Sequence, residues 1–126
     1  DYRVSFRITP GDNPRGTVLF ASKNATLYLS TPEEGMLGFE RDGYRYHWDY
    51  RLPVGRETAV TIEGTNRETR LYIDGQLHET LGIIVHPEDR ELKGPRYWVQ
   101  TLVFPLERVG SFSGSLSDLH IDWLSN

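Results

Sequence analysis

Apolar and polar residues alternate with a period of two along most of the chain, the pattern of half-buried β-strands rather than of helices. In YRVSFRIT, Tyr2, Val4, Phe6 and Ile8 fall on one face, with Arg3, Ser5 and Arg7 on the other. GTVLFAS and ATLYLS follow, joined at Lys23-Asn24, and then MLGFER and YRYHWDY, joined at Asp42-Gly43. Asp-Gly between alternating segments predicts a tight hairpin, because both central residues of a type I′ turn need positive φ. A second Asp-Gly, Asp74-Gly75, joins ETRLYID to QLHETLG, and Gly64-Thr65-Asn66-Arg67 joins ETAVTIEG to ETRLYID. WVQTLVF reads as a strand ending at Pro105. GSLSDLHIDWL reads as a final strand with Leu119, Ile121 and Trp123 on its core face. No segment sustains a helical period, and HPEDREL holds at most one helical turn. About ten strands with regularly spaced turns predict an all-β, two-sheet antiparallel sandwich.

The stretch YRYHWDY poses the sharpest choice. Tyr44, Tyr46, Trp48 and Tyr50 share one side and Arg45, His47 and Asp49 the other, so the aromatics form either a platform for a sugar ring or an inner wall. An outward stripe would bury the three polar residues, at several kcal/mol each unless paired. An inward stripe gains about 25 cal/mol per Å² of apolar area. The aromatics are therefore expected inside, with the hydroxyls of Tyr44 and Tyr50 reaching water.

At 126 residues the chain fits one domain, residues 1–126, with room for a single core. A net charge of −4 with interspersed signs gives no basic stripe, which argues against nucleic acid as a partner. The absence of cysteine excludes a disulfide framework and a thiolate zinc site. No apolar run approaches the ~18 residues of a membrane span. The sequence enters a strand pattern at Asp1 with no signal peptide, as expected of a domain cut from a longer protein.

Catalytic patterns fail. Glycosidases need paired carboxylates, and residues i and i+2 of a strand offer them at about 6.6–6.8 Å. The Glu-x-Asp-x-x-Glu signature of laminarinase-like sandwiches is met here by Glu40-Arg41-Asp42-Gly43-Tyr44-Arg45, where Arg45 replaces the third carboxylate and Asp42 belongs to a turn. Asp118, His120 and Asp122 share one face of the last strand and could ligate a metal or poise a base; the pattern favours a plain solvent face opposite the core face of Leu119, Ile121 and Trp123. No Gly-x-Ser-x-Gly elbow occurs, and Gly110 and Gly114 lie in no strand–helix context for phosphate. Asn24-Ala25-Thr26 fits a glycosylation sequon. No catalytic residue, metal site or cofactor is expected. For binding, aromatic faces and planar polar groups are the carbohydrate chemistry. The long connection VHPEDRELKGPRY, Val85 to Tyr97, supplies His86, Asp89 and Arg96 next to Trp98, and these four are the ligand-binding candidates. A solvated crossover between the sheets is the alternative for that connection.

The order of GTVLFAS, LGFERDGYRYHWDYRLPVG, ETRLYIDGQL and WVQTLVFPLERVGSFSGSLSDLHI resembles a known module. It is the concanavalin A-like, laminin-G-like domain found C-terminal to the catalytic domain of bacterial family 20 glycoside hydrolases, the β-N-acetylhexosaminidases. The resemblance covers essentially the whole chain. LYIDG is shared widely by laminin-G-like domains, and QTLVFPL followed by a glycine and a final strand is the more specific part. The resemblance implies a jelly-roll sandwich within a secreted, periplasmic or extracellular, glycosidase. Its implied partners are the catalytic domain of the same polypeptide and N-acetylhexosamine-containing glycans. It brings no catalysis, because the Asp-Glu pair of those enzymes sits in a (β/α)₈ barrel of about 200 residues or more. Relatives sometimes bind calcium at a sandwich rim, but no spacing rule places Asp118 or Asp122 there. Packing against the barrel, glycan attachment and a stand-alone lectin-like module are the functions left open.

Overall fold

The computed structural model describes residues 1–41, 43–89, 94–99, 101–102 and 106–123, and for 83–89 and 94–99 it describes the backbone. The front sheet contains β1 (Tyr2–Pro10), β6 (Thr58–Gly64), β7 (Thr69–Ile73), β8 (Gln76–Leu81) and β12 (Gly114–Trp123), in the order β12-β1-β6-β7-β8. The back sheet contains β2 (Val18–Ala21), β3 (Ala25–Tyr28), β4 (Gly38–Arg41), β5 (Tyr44–His47) and β11 (Arg108–Val109), in the order β11-β2-β3-β4-β5. A separate ribbon pairs β9 (Ile83–Asp89) with β10 (Gly94–Val99). Every pairing is antiparallel. The protein is the all-β sandwich that the alternation predicts.

The alternating faces pack as the pattern requires. Tyr2, Val4, Phe6 and Ile8 of β1 are all buried, as are Val60, Ile62 and Leu71 beside them. The back sheet answers with Phe20, Leu27, Leu37 and Phe39. Phe6 meets Phe20 edge-on across the sandwich at 5.3 Å between ring centroids. The aromatic stripe is a wall: Trp48 is 0% exposed, Tyr46 and Tyr50 pack against the core, and Tyr44 beside the turn is 53% exposed. At the other hairpin Asp74 and Gly75 have φ of 51° and 84°, the positive pair that a type I′ turn demands. Gly43 has φ 81°, while Asp42 lies outside the described residues.

Thr69 joins the layers. Its carbonyl accepts from Trp48 Nε1 at 3.4 Å, and its hydroxyl accepts from the Leu102 amide at 2.9 Å. The Leu102 carbonyl in turn accepts from the Tyr2 hydroxyl at 2.7 Å, in surroundings whose burial pushes that phenol well above its usual range. Thr69→Val keeps the shape of the side chain but leaves the buried Leu102 amide without this acceptor. A loss of about 1–3 kcal/mol is expected, and an unchanged midpoint in urea would contradict it.

Three expectations need correction. The stretch from Val85 to Tyr97 is not all loop: residues 85–89 and 94–97 belong to the paired strands β9 and β10 of the ribbon, residues 86–89 hold no helical turn, and 90–93 lie outside the described residues. Ile83-Ile84-Val85 and Tyr97-Trp98-Val99 are β-branched or aromatic and favour strands. Pro87 and Pro95 are compatible with it because a two-stranded ribbon has free edges, and the register shifts between Gly94 and Arg96. Within WVQTLVF, β10 ends at Val99, and Gln100 lies outside the described residues. Thr101 and Leu102 are buried without strand pairing, and 103–105 lie outside the described residues. Leu119, Ile121 and Trp123, finally, are 37%, 38% and 67% exposed rather than core. Their strand is an edge, and the back-sheet edge strand β11 is two residues long.

Candidate functional site

The outer face of the front sheet carries the most complete constellation. On β1 the outward residues are Arg3, Ser5 and Arg7, opposite Glu63, Thr61 and Ala59 of β6. Beyond β6, Thr61 faces Tyr72 of β7. On the other side, Ser5 faces His120 and Arg3 faces Asp122 of β12. Short side chains in the middle of this face, Ser5, Ala59 and Thr61, make a floor between taller neighbours. The result is a trough of about 320 Å³ lined also by Arg7, Asp118 and His120.

A backbone irregularity shapes one wall. Between Ser5 and Arg7 the β1–β12 register shifts, with Ser5 opposite His120 and Arg7 opposite Ser117, so β12 carries one extra residue. Asp118 sits in that bulge with φ 54°, a left-handed conformation that a non-glycine residue adopts at a cost. The bulge brings its carboxylate to 3.4 Å from Arg7 Nε. On the floor, Ser5 Oγ and Thr61 Oγ1 are 3.2 Å apart. Further along the same face Glu63 meets Arg3 at 3.3 Å and Arg70 at 3.5 Å. Glu68 pairs with Arg70 as well, and that hydrogen bond is the main reason the guanidinium is raised above its usual pKa.

The trough therefore offers hydroxyls, a guanidinium–carboxylate pair and an imidazole around a shallow floor, with Tyr72 one strand further out, opposite Thr61. Because Arg7 and Asp118 neutralise each other, it suits an uncharged polyol better than an anion. Asp118, His120 and Asp122 do share a face, as the sequence indicates. Among the described residues no group of three His, Asp or Glu side chains is arranged to hold a metal ion.

A second cleft of about 290 Å³ lies at the turn end of the back sheet, lined by Ser22, Asn24, Thr26, Glu40, Arg41 and Gly43 among others. Two of its charged groups, Glu40 and Arg41, are engaged by the fold. Arg41 donates to the Thr101 carbonyl at 3.3 Å and to the Thr101 hydroxyl. Glu40 pairs with Arg45 at 3.2 Å, and the Arg45 guanidinium sits 5.7 Å from the centroid of the Tyr28 ring. The sequon Asn24-Ala25-Thr26 lines this rim.

Of the sequence candidates, the ribbon register sets His86 directly opposite Arg96, Trp98 opposite Ile84, and Asp89 opposite Gly94. The side chains of these four candidates lie outside the described residues. The trough residues Ser5, Arg7 and Thr61, and Tyr72 on the strand beside them, escaped the sequence reading. Their signal is a run of short outward residues flanked by long ones, which becomes visible only once β1 is known to sit between β6 and β12.

No family model matches the chain. No curated protein matches it in sequence. Among solved structures, it is similar to domain 4 of AbnA, a GH43 extracellular arabinanase from Geobacillus stearothermophilus, in complex with arabinotriose. The TM-score is 0.58 at 18% sequence identity, over 95% of this chain and 59% of that one. The likeness is one of fold: this chain spans less than two thirds of its structural neighbour.

Proposed function

We propose that the chain is a non-catalytic accessory module of an exported glycoside hydrolase, and that it holds glycan in the front-sheet trough. The observation that carries this reading is the trough itself, where a floor of Ser5, Ala59 and Thr61 lies between Tyr72 and the Arg7–Asp118 pair. Small floor residues let a sugar ring approach the sheet. The ring of Tyr72 offers an apolar face for C–H groups, while Arg7 donates and Asp118 accepts toward neighbouring hydroxyls. Support for the accessory role comes from the neighbour, a domain of an extracellular arabinanase whose structure holds arabinotriose.

The finer assignment rests on the sequence resemblance: a parent enzyme of β-N-acetylhexosaminidase type, periplasmic or extracellular, with N-acetylhexosamine-containing glycans as ligand. The arabinanase neighbour favours the accessory sandwich and is neutral on that sugar. His86, Asp89, Arg96 and Trp98 on the β9–β10 ribbon stay in the proposal as the candidates the sequence offers for glycan contact. Among the described residues no helix is long and apolar enough to cross a membrane.

A shallow site with a few hydrogen bonds, each worth about 0.5–1.5 kcal/mol net, predicts a dissociation constant of about 1 mM, near −4 kcal/mol. Calorimetric titration with chitooligosaccharides is the test. Tyr72→Ala and Arg7→Ala should each weaken binding about tenfold, the equivalent of about 1.4 kcal/mol. Binding that both variants leave intact would move the site elsewhere, and steady hydrolysis of the ligand by the pure chain would overturn the non-catalytic reading.

A further inference from the structure

The pairing registers align one row of outward residues across all five strands of the front sheet. His120 faces Ser5, Ser5 faces Thr61, Thr61 faces Tyr72, and Tyr72 faces Leu77 of β8. Four steps between neighbouring strands, at about 4.7–4.9 Å each, make the row about 19 Å long. A bulge stands at each end of it. The one on β12 brings Asp118 to Arg7, and the one on β8 inserts His78 between the Leu71–Glu79 and Tyr72–Leu77 pairs. His78 Nε2 donates to the Asp49 carbonyl at 2.9 Å, and Glu79 accepts from the Asp49 amide at 2.7 Å. Both side chains thus turn to the segment that follows β5. Leu77 is left on the outer face beside Tyr72, where it is 55% exposed. Bulges re-aim side chains in this way beside functional sites.

We propose that this row is a track for the interior of a linear, uncharged oligosaccharide laid across the strands, with Leu77 as its outermost contact. The inference rests on the reading of the front-sheet trough as a glycan site. The trough occupies the half of the row from His120 to Thr61, and Tyr72 and Leu77 continue it as an apolar shelf. Along the polar half the hydroxyls of Ser5 and Thr61 and the His120 imidazole exchange hydrogen bonds with sugar hydroxyls. Along the shelf the Tyr72 ring and the Leu77 side chain meet the C–H faces of further rings. The row runs from one edge strand of the sheet to the other, β12 to β8, which suits the middle of a chain better than a single terminal sugar. Beside it Glu63 pairs with Arg3 and Arg70, and Arg7 pairs with Asp118. Flanking charges balanced within the sheet favour an uncharged ligand.

Calorimetric titration of the chain with chitobiose and chitopentaose, and with arabinobiose and arabinopentaose, tests this, each with and without Leu77→Ser and Leu77→Trp. In the series that binds, the association constant should rise about tenfold from the short sugar to the long one. Leu77→Ser should cut that rise to about twofold, and Leu77→Trp, with its wider apolar face, should enlarge it. Because the side chain is exposed, the unfolding midpoint of either variant should stay within about 2 °C of the unsubstituted chain. An affinity level with chain length, or a rise that both variants leave intact, would overturn the track while the trough remained a site for a short sugar. No binding of any of the four sugars would overturn the glycan reading as well, so the two failures are distinct.

Discussion

Replacing Trp48 by alanine should lower the stability of the fold by about 3–5 kcal/mol, a large share of the ~5–15 kcal/mol that holds a domain of this size. The indole is 0% exposed, packs at 5.3 Å from the Phe39 ring, and donates to the Thr69 carbonyl of the opposite sheet at 3.4 Å. Its own amide is bonded to the Leu37 carbonyl at 3.0 Å, so the backbone is poorly placed to collapse into the space left behind. The midpoint of thermal unfolding should fall by roughly 10–15 °C. An outward-facing sugar platform would lose less than about 0.5 kcal/mol on the same substitution, and a near-unchanged midpoint would make the stripe such a platform.

Gly38→Ala should be comparably damaging for the opposite reason, an excess of atoms. A Cβ at this position would run into the Tyr46 carbonyl oxygen, and would lie 2.6 Å from Thr31 Cγ2 and 2.9 Å from His47 Cβ. Two of these obstacles belong to β5, the strand paired with β4, and Thr31 is itself fully buried. The strand cannot slide away without breaking the Leu37–Tyr50 and Leu37–Trp48 backbone bonds, of 2.8 Å and 3.0 Å. Overpacking of this kind typically costs about 1–3 kcal/mol, and contact with cross-strand backbone puts Gly38→Ala at the upper end. Denaturation in urea would show the loss as a lower midpoint, and an unaltered midpoint would mean that β4 and β5 are not paired in this register.

The sandwich was legible because burial enforces a strict period of two. Tyr2, Val4, Phe6 and Ile8 declare their face by themselves, and Asp74-Gly75 declares its turn through the φ values those residues tolerate. The inward direction of the aromatic stripe followed from the cost of burying Arg45, His47 and Asp49. Edges were not legible, because coverage depends on the opposite sheet. Leu119, Ile121 and Trp123 have the pattern of core residues, yet on this edge strand they are 37%, 38% and 67% exposed. The β9–β10 ribbon was hidden by Pro87 and Pro95, which argue against strands except where an edge is free.

The trough was harder still to foresee. Ser5, Thr61, Tyr72 and His120 come from four strands, two of them at opposite ends of the sequence, and only their pairing register makes them neighbours. The Asp118 bulge leaves no mark in the alternation either, since the extra residue is polar like the outward positions beside it.

Two-dimensional amide NMR of the isotopically labelled chain, titrated separately with chitotriose and with arabinotriose, tests the glycan-binding account most directly. The account predicts fast-exchange shifts, saturating at millimolar ligand, that cluster on Ser5, Arg7, Thr61, Tyr72, Asp118 and His120. The larger response should come with chitotriose if the parent enzyme is of hexosaminidase type. Shifts confined to the rim around Asn24 and Glu40, or no shifts with either sugar, would contradict it.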